Sequence, residues 1–192
     1  MKNFIEKLVS EEIISIEEKE LVEFGLKSLL DNFVSMIVTI LVTGVLGNWV
    51  QGILVYLLAV PVRRNAGGYH AETRKKCLIT STCFLVIIKL IIDYIKRNNL
   101  MCVILVIVGG LVIIINSPVE NLKKRLELIE KLKYKKRTTY FVLAEFVLFF
   151  AMIILNCGLI TESVTIGICL NTILVMAGIL QLKIQNKRLK YN

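Results

Sequence analysis

The chain has one histidine in 192 residues, and its five cysteines (77, 83, 102, 157 and 169) include no C-x-x-C pair. No H-E-x-x-H stretch occurs either. These absences exclude a multi-histidine metal site and argue against a zinc protease, whose ligands arrive at such spacings; no cofactor and no metal are expected. Strand-like alternation of the barrel type is missing. Residues 1–31 lack an apolar core and a small-residue cleavage site, and they carry Glu6, Glu11, Glu12, Glu17, Glu18, Glu20, Glu23 and Asp31, so they do not read as a signal peptide. The basic stretches are not interleaved with aromatics as in RNA-binding modules, so the net charge of +9 points to no nucleic-acid partner.

Apolar residues are abundant instead, at 56% of the chain with a mean hydropathy of +0.71, and they fall into long blocks nearly free of charge. A spanning helix needs roughly 20 such residues, because the hydrocarbon layer is about 30 Å thick and a helix rises about 1.5 Å per residue. In lipid only helices or closed barrels satisfy every backbone group. The fold class is therefore all-α, a polytopic integral membrane protein with about six transmembrane helices, over residues 32–47, 49–62, 77–95, 100–116, 140–157 and 163–182. The second block is short, follows the first across Gly47-Asn48, and ends at Pro61; it either tilts or stops short of a full crossing.

Two regions follow from this layout. Residues 1–31 form an amphipathic N-terminal segment, with Phe4, Ile5, Leu8 and Val9 on one side and a capping box, Ser15 to Glu18, restarting the helix through Leu21, Val22 and Leu26. It reads as a scaffold lying on the bilayer surface or as a docking element. Residues 32–192 form the transmembrane domain, with a polybasic loop over 117–139. With both termini inside, 21 of the Lys and Arg residues fall on inside segments and two, Lys96 and Arg97, outside. That is the asymmetry of the positive-inside rule, and it places residues 63–76 on the cytoplasmic face.

The chemically informative stretch is Arg63-Arg64-Asn65-Ala66-Gly67-Gly68-Tyr69-His70-Ala71-Glu72-Thr73-Arg74-Lys75-Lys76-Cys77. It joins the only histidine to a cysteine at the start of a span, in a compartment where thiols stay reduced. Cations and helix N-termini favour a thiolate, and neutral imidazole can take the thiol proton. On one straight helix His70 and Cys77 would share a face but sit about 10.5 Å apart. Contact between thiol and imidazole needs about 3–4 Å, so the chain must bend near Gly67-Gly68 or leave regular helix. Glu72 is the nearest candidate for an orienting carboxylate and Asn65 the next group. Lys89 and Asp93, at i,i+4 inside a span, are expected to pair with one another, and Glu145 has no evident partner. Each residue also has an ordinary reading: a packing cysteine, an interfacial histidine, a glycine turn. A small transporter lined by Lys89, Asp93 and Glu145, or a non-catalytic signalling scaffold, accounts for the spans but leaves the His70–Cys77 stretch unexplained.

The string R-R-N-A-G-G-Y-H-A-x5-C resembles the signature of the accessory gene regulator B family, bacterial membrane peptidases of quorum sensing. Chain length, the run of hydrophobic spans and Pro118-Val119-Glu120 before a polybasic loop are similar too, although Asn121-Leu122 stands where family members often carry His-Pro. The resemblance implies a cysteine endopeptidase that cuts a small precursor peptide, of the accessory gene regulator D type, near its C-terminus. It further implies closure of the remainder into a thiolactone or lactone ring. His70 and Cys77 match the family's catalytic pair, and Arg63 and Gly68 its functionally important arginine and glycine. Gly67 and Glu72 lie beside them, while Lys123, Lys124 and Arg125 correspond loosely to basic residues of a later cytoplasmic loop. Membrane lipids and a homodimer complete the expected partners, with Gly109-Gly110 in the fourth span as a place where helices could approach closely. The expected location is a bacterial cell membrane, with both termini and the catalytic segment cytoplasmic.

Overall fold

The computed structural model describes residues 19–69, 73–95, 99–120 and 127–191. Six α-helices run through them: α1 (Lys19–Val45), α2 (Trp49–Ala66), α3 (Arg74–Ile95), α4 (Asn99–Asn116), α5 (Leu128–Ile154) and α6 (Gly158–Tyr191). No strand occurs among the described residues, and the class is all-α, as the unbroken apolar blocks require. The N-terminal capping box at Ser15 and Glu18 lies outside the described residues. By contact the chain divides into two compact units, residues 1–38 and residues 39–192.

Among the described residues, five helices are long and apolar enough to cross a membrane, over Gly25–Val45, Lys75–Ile95, Asn99–Asn116, Leu128–Ile154 and Gly158–Lys187. The protein is accordingly a multi-pass membrane protein. Helix α2 is not among the five. Its 18 residues hold Gln51, Pro61, Arg63, Arg64 and Asn65, and those polar positions dilute the apolar run that the sequence reading counted as a span. Its start is sharply defined: Gly47 turns at φ +116°, and the Asn48 side chain accepts the Gln51 amide at 3.1 Å as an N-cap.

Within the larger unit α6 is the central helix, packed against α2, α3, α4 and α5. More than half of its most apolar stretch is buried by protein, against less than a third in any other span. Apolar surface alone does not drive helices together in lipid, so small residues and interhelical hydrogen bonds carry more of the association. Gln51 Nε2 donates to Glu162 at 3.1 Å, and Asn171 Nδ2 donates to the Ala59 carbonyl at 3.0 Å, tying α2 to α6 at two levels. Gly109 and Gly110 are both buried, and a Cβ at Gly109 would meet Thr172 at 2.8 Å and one at Gly110 the Phe146 ring at 2.2 Å. The close approach expected of this pair thus takes place inside the chain, against α6 and α5.

The stretch 117–139 is not one loop. Helix α5 begins at Leu128, so its first three turns lie in the basic region, and Glu130 accepts the Glu127 amide at 3.3 Å at its start. Lys135 reaches back to the end of α4, donating to the carbonyls of Ile114 and Ile115, and Lys131 pairs with Glu120. These two lysines close the α4–α5 connection, which is why charged residues here join a helix that hydropathy alone starts near residue 140. Lys89 Nζ meets Asp93 at 2.6 Å on α3, as the i,i+4 spacing predicts.

Candidate functional site

The chain leaves regular helix after Ala66, at the Gly67-Gly68 pair where the sequence places a bend. Gly67 (φ +71°) and Gly68 (φ +121°) both adopt backbone that side chains rarely tolerate, and α3 resumes only at Arg74. The turn is held from three sides. Val119 donates its amide to the Ala66 carbonyl at 2.8 Å, forming an isolated parallel bridge between Gly67 and Val119. Tyr69 donates its amide to the Leu174 carbonyl of α6 at 2.8 Å. Arg63, half-buried near the end of α2, donates Nη1 to the Gly67 carbonyl at 2.6 Å and Nη2 to the Tyr69 carbonyl. A planar guanidinium presents two parallel donors, and here they gather carbonyls that the end of a helix leaves without partners.

Space is equally constrained. A Cβ on Gly67 would lie 2.4 Å from the Val119 oxygen, and one on Gly68 would lie 2.6 Å from the Leu174 oxygen. Across the interface, a Cβ on Gly178 of α6 would sit within 2.5–2.7 Å of the Gly68 and Tyr69 backbone. The turn therefore packs backbone to backbone against α6, and only glycine at all three positions leaves room. A cavity of about 320 Å³ opens beside it, lined by Val119, Glu120, Lys131, Ile179 and others.

Cys77 lies in the first turn of α3, partly accessible, with its amide bonded to the Thr73 carbonyl at 3.1 Å. The Thr73 hydroxyl accepts the Lys76 amide at 3.3 Å, satisfying one of the donors a helix start leaves open. Burial pushes the Arg63 guanidinium below its ordinary value. An arginine stays charged through such a shift. Arg63, Gly67 and Gly68 are thus brought to one place, and Cys77 lies on the helix that follows.

His70, Glu72, Lys123, Lys124 and Arg125 lie outside the described residues. Asn65 donates to the Pro61 carbonyl at 2.7 Å, a local bond along its own helix. Glu145 is buried on α5 in line with Val142 and Phe149, its Oε2 without a hydrogen-bond partner among the described residues. Leu174, Gly178 and Val119 are contributors that sequence reasoning did not single out. Pro118-Val119-Glu120 was conspicuous as a string; its bridge to Gly67 was not.

The family model described as Accessory gene regulator B matches residues 1–175. An AgrB-like protein of Clostridium perfringens (strain 13 / Type A) is 25% identical over 176 residues, covering 91% of this chain and 93% of that one. No solved structure matches the chain significantly.

Proposed function

The chain belongs to the accessory gene regulator B family, and from that premise, with its part in a quorum-sensing system, we propose that it is a membrane cysteine endopeptidase with Cys77 as nucleophile and His70 as general base. The observation that carries the reading is the grip of Arg63 on the Gly67–Tyr69 turn through two carbonyls, which fixes the chain immediately before His70, while Cys77 lies in the first turn of the helix that follows. Tyr69, the residue before His70, is held besides by its amide bond to the Leu174 carbonyl of α6.

The chemistry runs in two exchanges. His70 takes the Cys77 thiol proton, and the sulfur adds to the scissile carbonyl carbon of the precursor. The carbon–nitrogen bond breaks, the leaving amine takes the proton from His70, and the acyl group stays on Cys77 as a thioester. A cysteine within the precursor then adds to the same carbonyl, the carbon–sulfur bond to Cys77 breaks, and the proton returns through His70. One thioester replaces another at nearly equal energy, so the ring keeps activation that hydrolysis would discard. Amide to thioester is uphill, and removal of the tail or ring pulls the reaction on. Keeping water from the acyl group is essential, which suits a turn packed against a membrane helix. Glu72 serves as the orienting carboxylate, and Lys123, Lys124 and Arg125 attract the acidic tail of the precursor, each charge contributing about 1 kcal/mol near a surface. With α2 counted as a sixth crossing beside the five long apolar helices, the 21-to-2 distribution of basic residues supports a cytoplasmic location for both termini and for this segment.

The test is co-expression with a candidate precursor, a short amphipathic peptide with an internal cysteine and an acidic tail. The wild type yields a shortened product and Cys77→Ala yields none. Processing that persists in Cys77→Ala sinks the peptidase and favours the transporter or scaffold.

A further inference from the structure

Between the end of α2 and the start of α5 lies a cavity of about 720 Å³ that the peptidase reading does not use. Three cations, Arg64, Lys136 and Arg137, line it, together with Tyr134, Tyr140 and Phe141. All three cations are exposed, no lining residue is acidic, and no acidic partner is found for them among the described residues. Their neighbours Lys131 and Lys135 are by contrast committed to Glu120 and to the end of α4. The site has room for a phosphate-bearing headgroup, being of the size that holds small ligands.

Its position in the fold selects the ligand. The cavity sits where α5 changes from a charged to an apolar helix, between Lys136-Arg137 and Phe141. Tyr140 is 70% exposed at that step, the level at which tyrosines mark a membrane–water boundary. Val60 and Pro61 form its apolar wall on α2. The faces then continue away from the cations along both helices. Leu57, one turn back from Pro61, is exposed, as are Ala144 and Val147, one and two turns on from Tyr140. A polar ligand alone would leave this apolar run-off without purpose, whereas a lipid fills both parts.

We propose that this cavity is a binding site for an anionic phospholipid, its phosphate seated among Arg64, Lys136 and Arg137 and an acyl chain lying along Leu57, Ala144 and Val147. Basic pockets between membrane helices select headgroups by charge. The site is separate from the Gly67–Tyr69 turn, and the inference does not depend on the peptidase reading.

Native mass spectrometry of the full chain in detergent tests it, with phosphatidylglycerol and phosphatidylcholine as probes. The wild type retains one phosphatidylglycerol at least tenfold more tightly than phosphatidylcholine. Arg137→Gln weakens that lipid roughly fivefold, and the triple change R64Q, K136Q and R137Q weakens it on the order of 100-fold. Lys183→Gln with Lys187→Gln, on the exposed end of α6, leaves it unchanged. A wild type without preference between the two lipids overturns the proposal even if no variant folds. Equal retention by Arg137→Gln and the triple variant does so as well. Tighter binding of a hexaglutamate peptide than of phosphatidylglycerol, lost in the triple variant, overturns it in favour of an acidic-peptide site.

Discussion

Val119 and Ala66 are joined by a backbone hydrogen bond of 2.8 Å that links the Pro118-Val119-Glu120 segment to the turn ahead of the proposed histidine. Gly67, next in the chain, pairs with Val119 at φ +71° and ψ −147°, a conformation essentially reserved for glycine. Gly67→Ala should therefore cost about 1–3 kcal/mol of local stability and abolish processing. Gly158→Ala, where a Cβ meets nothing within 4 Å, should do neither. Thermal unfolding in detergent and product yield in cells measure the two effects.

Arg63→Lys keeps the charge but loses the fork that reaches both Gly67 and Tyr69. Processing should fall at least tenfold, nearly as far as in Arg63→Gln, while membrane insertion is retained. Recovery of full activity by lysine would mean that charge alone matters and that the two-carbonyl grip does not.

Gly178→Ala pushes a methyl group into the backbone of Gly68 and Tyr69. Loss of processing is expected although residue 178 sits on another helix, more than a hundred positions from His70 in sequence. Cross-linking of precursor to the variant should persist, separating a displaced turn from lost substrate binding.

Much of this architecture was legible in the sequence, for identifiable reasons. Charge-free blocks announce spanning helices because lipid forbids unpaired backbone groups. The 10.5 Å implied between His70 and Cys77 on a straight helix, about seven residues of rise, forced a break where Gly67-Gly68 supply one. Helix α5 was misjudged at its start because Lys131 and Lys135 look like loop charges until Glu120 and the α4 carbonyls are placed beside them. Gly178 was illegible: a glycine in an apolar run carries no sign of what passes it. The grip of Arg63 was hidden likewise, since its acceptors are main-chain oxygens that every sequence possesses.

Orientation can be read chemically. In a chain whose other four cysteines are replaced by alanine, Cys77 should react with a membrane-impermeant maleimide only after the cells are permeabilised. Reaction in intact cells would place the segment outside and remove the reducing compartment from the mechanism.

Lys89 and Asp93 should prove structural. Lys89 is buried to 4% exposure, so Lys89→Met with Asp93 intact removes the cation beside a partly buried carboxylate and should lower thermal stability more than the double change Lys89→Met, Asp93→Leu. Product yield per folded molecule should be unaltered in both.

The anchor of Tyr69 on Leu174, and the fit of Gly178 against Gly68, also set an order of events during synthesis. His70 and Cys77 leave the ribosome about a hundred residues before the part of α6 that fixes the turn ahead of His70. A nascent chain thus carries Cys77 through the addition of 101 further residues, as far as Gly178, without the support that fixes the turn. On the peptidase reading, a chain halted before residue 178 should insert in the membrane but process no precursor.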